Sequence, residues 1–300
     1  AANTASITQA NITLGTDGGT TAITFDNEAD MTATTLLTNE ENSTLNNSAV
    51  IDAVTFVNDG KLVNNEVTDT TGAVIASIKG GTLENNDTIT NYGSITSAIT
   101  NNAVTTSGEL IGAVINNTGT LGVVTANEGI INTTAAGLTD TVDSDGIINL
   151  NDGANHDKGD LAITMTGDGK LYVQDNVTVT DQGDITQDYI EVKAGTEDSP
   201  NKLKNDGGKI TAATGLVDGK YATLELENAG TTKIGYLTVD AGTLSLIDGA
   251  KLTDDSKVKM ENDASLQLSA RTKDVDFYSN LQPNSSYSIV ADSLDGWKVS

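Results

Sequence analysis

Residues 224–246 read LELENAGTTKIGYLTVDAGTLSL, and two features of this stretch decide the fold. Leu224 and Leu226, and again Leu244 and Leu246, stand one residue apart with a polar residue between them, the period of a strand that buries one face. The second pair begins 244 − 224 = 20 residues after the first, and Leu266 with Leu268 follows after a further 266 − 244 = 22. A second series interleaves with it: Leu237 and Val239 are answered by Val258 and Met260, 258 − 237 = 21 residues on. Two different short strands recurring at one period describe a coil that is repeated and stacked.

Outward from this stretch the same alternation appears at Leu171 and Val173 and at Ile190 and Val192. A turn pattern accompanies it, Asn or Asp, any residue, Gly, any residue, then Leu or Ile. It reads Asn58-Asp59-Gly60-Lys61-Leu62, Asn91-Tyr92-Gly93-Ser94-Ile95, Asn117-Thr118-Gly119-Thr120-Leu121, Asp181-Gln182-Gly183-Asp184-Ile185 and Asp240-Ala241-Gly242-Thr243-Leu244. Asn and Asp bond their own backbone and tolerate left-handed φ, and Gly takes positive φ without steric cost, so the pattern predicts tight turns that feed an inward Leu or Ile. The expected fold is all-β, a single right-handed parallel β-helix (β-solenoid) with coils of about 21 residues, on the order of 14 of them. Residues 1–50 read as N-terminal coils or a cap with a weak repeat, 51–270 as the regular solenoid, and 271–300 as a divergent C-terminal cap or boundary segment. In that last segment the sole Arg, the sole Trp and several aromatics gather around Pro283.

Composition agrees with a thin core. Aromatic residues are 4% of the chain, too few for the thick interior of a compact globule, whereas a solenoid buries only a stripe of aliphatic side chains per coil. A string of immunoglobulin-like sandwiches would need longer strands, repeats of about 90 residues and a core aromatic per domain, and shows none of these. The net charge of −26 disfavours nucleic acid and anionic lipid as partners. Cysteine is absent, which removes disulfides and thiolate metal sites. No run of about 18 apolar residues exists, so no helical membrane insertion of this segment is expected. The chain opens at Ala1 without an initiator Met or a hydrophobic leader, which reads as a mature or excised segment.

Few residues offer chemistry. His156, the only histidine, sits in the polar run Asn151 to Asp160 and reads as a solvated loop. Asp254-Asp255, Asp143 with Asp145, and Asp168 are the carboxylates that a β-helix glycosidase or lyase could use, but one Arg and a repeat poor in aromatics argue against a polysaccharide-cleaving enzyme. No cofactor is expected. A structural calcium ion is the one candidate, where Asp143-Ser144-Asp145-Gly146, Asn149, Asn151 and Asp152 cluster oxygens, although neither the EF-hand loop nor a calcium-binding nonapeptide is matched. Thr-x-Thr pairs such as Thr88 with Thr90 lack the coil period that an ice-binding face requires.

The text of Asn91 to Ile95 and of Val114-Ile115-Asn116-Asn117-Thr118-Gly119-Thr120-Leu121 resembles the passenger repeats of Gram-negative autotransporter adhesins, over about Ile51 to Ala270. That resemblance implies export through an outer-membrane barrel, display at the bacterial cell surface, and adhesion. The translocator barrel of that family has no counterpart in these residues. The expected function is therefore that of a non-enzymatic, extracellular adhesin, with partners either the same protein on neighbouring cells or host surface glycans and proteins. The turn positions Asn58, Asn91, Asn117, Asp181 and Asp240 are the candidate contact residues. A surface-layer or fibre subunit is the alternative.

Overall fold

The leucine pairs that set the period become register in space. The computed structural model describes residues 1–16, 18, 20–103, 105–106, 109–110, 112–151, 159–175, 178–227, 231–247, 250, 252–269 and 280–291. Leu224 lies opposite Leu244 and Leu244 opposite Leu266, with Leu226, Leu246 and Leu268 in the column beside them. Leu237 pairs with Val258 and Val239 with Met260 in the same way. These pairings are parallel and join each strand to the one a coil further on, so the protein is a parallel β-solenoid of about 11 turns, with coils about 22 residues apart. Among the described residues there is no α-helix, only a single 3-10 turn at Ala135–Gly137.

The chain divides into two compact units, Ala1–Ile147 and Ile148–Ser300. In the first, parallel stacking is established at Ile7–Leu14, which pairs with Met31–Asn39, which pairs in turn with Val50–Asn58. Three inward columns fill its core. One runs Ile51, Ile78, Ile95, Leu121. A second runs Leu37, Phe56, Leu83, Ile99, and a third Leu45, Leu62, Ile89, Ile115. All of these side chains are at most 1% exposed, and each contributes about 1.5–3 kcal/mol by leaving water. The second unit stacks Leu203, Leu224, Leu244 and Leu266 in one column.

The turns number about 11 where 14 were expected, and coil length varies enough to blur the period in the first half. Between equivalent residues the step is 17 from Asn47 to Asn64 and 16 from Asn85 to Asn101, but 27 from Asn58 to Asn85 and 26 from Asn101 to Asn127. The differences, 27 − 17 = 10 and 26 − 16 = 10, are insertions into an otherwise short coil. One lies within residues 65–76, where Thr68 and Val74 form an antiparallel bridge. The other holds Thr105–Thr106 paired antiparallel with Glu109–Leu110. Of the segment 271–300, Tyr287–Ala291 stacks in parallel on Ala264–Leu268. Residues 271–279 and 292–300 lie outside the described residues.

Candidate functional site

The turn asparagines were expected to face a partner, and their parity says otherwise. In Ile89-Thr90-Asn91, as in Leu62-Val63-Asn64 and Ile115-Asn116-Asn117, the asparagine stands two residues after an inward Ile or Leu and therefore on the same face of the strand. Asn58 and Asn91 are 0% exposed, Asn117 is 2% exposed and Asp181 is 0% exposed, so these four side chains are sealed from any partner. This corrects their assignment as contact residues. Asp240 alone of the five is part-exposed, and there it accepts a hydrogen bond from Asn262 Nδ2 at 2.7 Å.

Inside the first unit the asparagines form two continuous ladders. In one, each Nδ2 donates to the Oδ1 of the next coil from Asn3 through Asn27, Asn47, Asn64 and Asn91 to Asn117, every bond 2.7 Å, and Asn117 then donates to Thr133 Oγ1 at 2.9 Å. The other runs from Asn39 through Asn58, Asn85 and Asn101 to Asn127 at 2.8 Å, and ends on Ser144 Oγ at 2.9 Å. The orientation of the amides is fixed by their second N–H. Asn91 Nδ2 lies 3.2 Å from Gly93 O and Asn39 Nδ2 lies 3.0 Å from Lys61 O, and a carbonyl can only accept. A buried amide left unpaired costs about 1–3 kcal/mol per group, so each rung depends on the rungs above and below it.

The turns that follow the rungs are built on the same residues. The N–H groups of Tyr92 and Gly93 both donate to the backbone carbonyl of Asn64 one coil earlier, at 2.8 and 3.2 Å, and those of Thr118 and Gly119 donate to that of Asn91 at 2.9 and 3.1 Å. Glycine is needed here for proximity. Neither Gly93 nor Gly119 has a left-handed φ, contrary to the sequence expectation, but a Cβ on Gly119 would sit 2.0 Å from Gly93 O and one on Gly93 2.6 Å from Ala76 O.

What does reach the outside of the first unit is a second set of stacked polar groups. Asn46 Nδ2 donates to Asp26 Oδ1 at 2.8 Å. Asn86 Nδ2 donates to Asp59 Oδ1 at 2.7 Å, and Asn102 Nδ2 donates to Asn86 Oδ1 at 2.6 Å. Asn132 Nδ2 donates to Asn116 Oδ1 at 2.8 Å, and the hydroxyls of Thr100 and Thr125 lie 3.3 Å apart. On the second unit charge takes this role. Lys202 bonds Glu225 at 2.8 Å, and Lys204 is held between Glu227 and Asp206, which raises its pKa, chiefly through the bond to Glu227.

The remaining candidates separate. Asp255 pairs with Lys233 at 2.5 Å, and this bond, with that from Thr253, holds its carboxyl below the usual range. Ser144 of the calcium candidate is buried and occupied as the last rung, while Asp143 and Asp145 on either side of it are exposed. Asp152 and His156 lie outside the described residues. Among the described residues no three His, Cys, Asp or Glu side chains come together as a metal site.

One buried carboxylate stands out. Asp181 lies opposite Asn205 on the next strand. Its Oδ1 accepts from the Gly183 N–H at 3.0 Å, but Asp181 Oδ2 and Asn205 Oδ1 have no partner. Burial pushes its carboxyl up to about 7 against the pull of that N–H, and Asp184 nearby adds to the rise.

These features define a parallel β-solenoid whose corners are closed by side-chain ladders. No protein-family model matches the chain, and no curated protein or solved structure is detectably similar to it.

Proposed function

We propose that the protein is a non-enzymatic adhesin of a bacterial cell surface, of the autotransporter-passenger type, that binds through stacked polar columns on its outer faces. The supporting observation is the outward column of Asp59, Asn86 and Asn102, in which amide and carboxylate groups repeat in line at the coil spacing. Groups that are individually weak gain avidity when they are held in a fixed line, because each contact after the first forms at high effective concentration. The partner is the same outer face on a neighbouring cell, or a surface glycan, and no cofactor takes part. The inward ladder serves this role indirectly, by fixing the register that aligns the outer groups.

Displaying the chain on non-adherent bacterial cells tests the reading. Displaying cells are expected to settle as aggregates or to attach to coated surfaces. Cells that display the folded chain and do neither would overturn it.

A further inference from the structure

The second unit carries an aromatic groove on an outward sheet face, far from the polar columns in sequence. Strands Lys170–Val173, Asp184–Val192, Lys209–Asp218 and Thr231–Asp240 stack in parallel so that Lys170, Tyr189, Thr214 and Tyr236 fall in one outward column. Tyr172 stands beside Tyr189 with ring centroids 5.9 Å apart at 64°. Lys193 Nζ lies 4.2 Å from the centre of the Tyr172 ring and bonds Gln174 Oε1 at 2.8 Å. The Tyr189 hydroxyl donates to Glu191 Oε2 at 2.8 Å. Lys170, Tyr172, Asp188, Tyr189, Ala213 and Thr214 line a surface groove of about 420 Å³, and Tyr236 is 42% exposed beyond it.

Three of the chain's seven tyrosines thus meet on one face. A solenoid gains nothing for its core from outward rings, and exposed aromatic surface collected in one place marks a binding face. Tyr189 and Tyr236 are two coils apart, about 10 Å at the strand spacing, which matches the length of two sugar units in an extended hexose chain. The groove offers ring faces for the apolar side of a pyranose, with a carboxylate, an ammonium and a threonine hydroxyl around them for its hydroxyl groups. Lys170 and Asp188 balance in charge, which favours a neutral sugar over an anionic one, in a chain whose net charge is −26.

We propose that this groove is a subsite for a neutral pyranose glycan, with Tyr189 and Tyr236 as stacking platforms two coils apart and with Asp188 and Lys170 bonding the sugar hydroxyls. The proposal rests on the adhesive reading and supplies the class of its ligand. Partial burial, with Glu191 beside them, raises the pKa of both groove tyrosines.

The test is titration of the purified chain with cellohexaose, maltohexaose and chitohexaose, followed by saturation-transfer NMR and tyrosine fluorescence. At least one hexasaccharide is expected to bind with a millimolar or tighter Kd, and Tyr189→Ala is expected to weaken it by about tenfold. Tyr189→Phe, which keeps the ring, should retain most of the affinity, and Tyr92→Ala on the first unit should change nothing. Should Tyr189→Ala fail to fold, Tyr236→Ala at the exposed ring gives the same readout. Absence of binding by all three sugars, or equal binding by the Ala variants, overturns the subsite. The two readings fail separately. Displaying cells that adhere while the purified chain binds none of the three sugars would remove the glycan groove and leave the adhesin, whereas sugar binding by a chain that confers no adhesion would do the reverse.

Discussion

In the first unit the last inward residue of a strand is an asparagine bonded to the asparagine of the next coil; in the second unit the corresponding strand ends carry Val173, Val192, Val217, Val239 and Met260, or Leu226, Leu246 and Leu268, packed column on column. Both arrangements seal a corner, but they tolerate interruption differently. An aliphatic column loses contact area when one member changes. An amide column loses a donor on one side and an acceptor on the other, both buried, so its members are needed together. Where the second unit mixes the two chemistries, at Asp181 and Asn205 between Leu161 and Leu226, the mixture leaves two oxygens unpaired. Among the described residues of the first unit, no buried side-chain oxygen or nitrogen lacks a partner.

The largest effect is expected from importing the second unit's solution into the first. Asn91→Leu leaves Asn64 Nδ2 without its Asn91 acceptor and Asn117 Oδ1 without its donor, and should destabilise the unit by about 4 kcal/mol, two orphaned groups at the cost of burial. Hydrogen exchange of the amides flanking residues 64, 91 and 117 would report it. If exchange there is no faster than in the parent, the ladder is not cooperative and the contrast between the units collapses.

A smaller effect comes from acidity at the mixed position. The carboxyl of Asp181 is raised from 3.8 in the ordinary state to about 7 in the folded one. The folded chain therefore holds a proton that the unfolded chain releases. This favours the fold fully below about pH 4, and the advantage declines steadily as pH climbs toward 7. Between pH 5 and pH 8 the second unit should lose about 2–3 kcal/mol, seen as a falling midpoint in urea. Protonation gives Asp181 an O–H on the strand next to Asn205, whose Oδ1 has no donor. Asp181→Asn should flatten the pH profile, and a slope that survives the substitution would place its origin elsewhere.

The smallest effect is a gain. The double variant Asp181→Leu with Asn205→Leu completes the column from Leu161 to Leu226 and should stabilise the chain by about 1–2 kcal/mol at pH 8. Thermal melting at that pH checks the sign. A lower midpoint would mean that Thr232, which accepts from Asn205 Nδ2 at 2.8 Å, depends on the polar pair more than the corner suffers from it.

The solenoid was legible because Leu, Ile and Val declare their side of the strand, and the pairs at residues 224, 244 and 266 needed only their spacing to be read as register. The ladders were hidden by residue type. Asparagine is both the last residue of a strand and the first of a turn, and its polarity suggested solvent. The signal available was parity, since Phe56 with Asn58, Leu83 with Asn85 and Ile99 with Asn101 repeat the spacing of Leu224 with Leu226. The glycines were read for their freedom of φ when the constraint is the coil beneath, which a single strand of text does not contain. The tyrosine groove was missed for a related reason. Tyr172, Tyr189 and Tyr236 are separated by 189 − 172 = 17 and 236 − 189 = 47 residues, and only the stacking brings them to one face.

The amide ladders all point one way, each nitrogen toward the following coil, and this gives the stack a grammar of continuation and stop. A coil that ends on asparagine presents an N–H at its leading edge and so asks for another oxygen in the coil to come. A growing stack is thereby templated one layer at a time, and a layer shifted out of place leaves the request unanswered. Threonine and serine close the sentence. Thr133 takes the final amide proton from Asn117 and turns its own hydroxyl to the backbone carbonyl of Thr134 at 3.1 Å, asking nothing of the next layer. Ladder length is thus written residue by residue, and an asparagine in place of the terminal hydroxyl would add a donor that asks for one more acceptor.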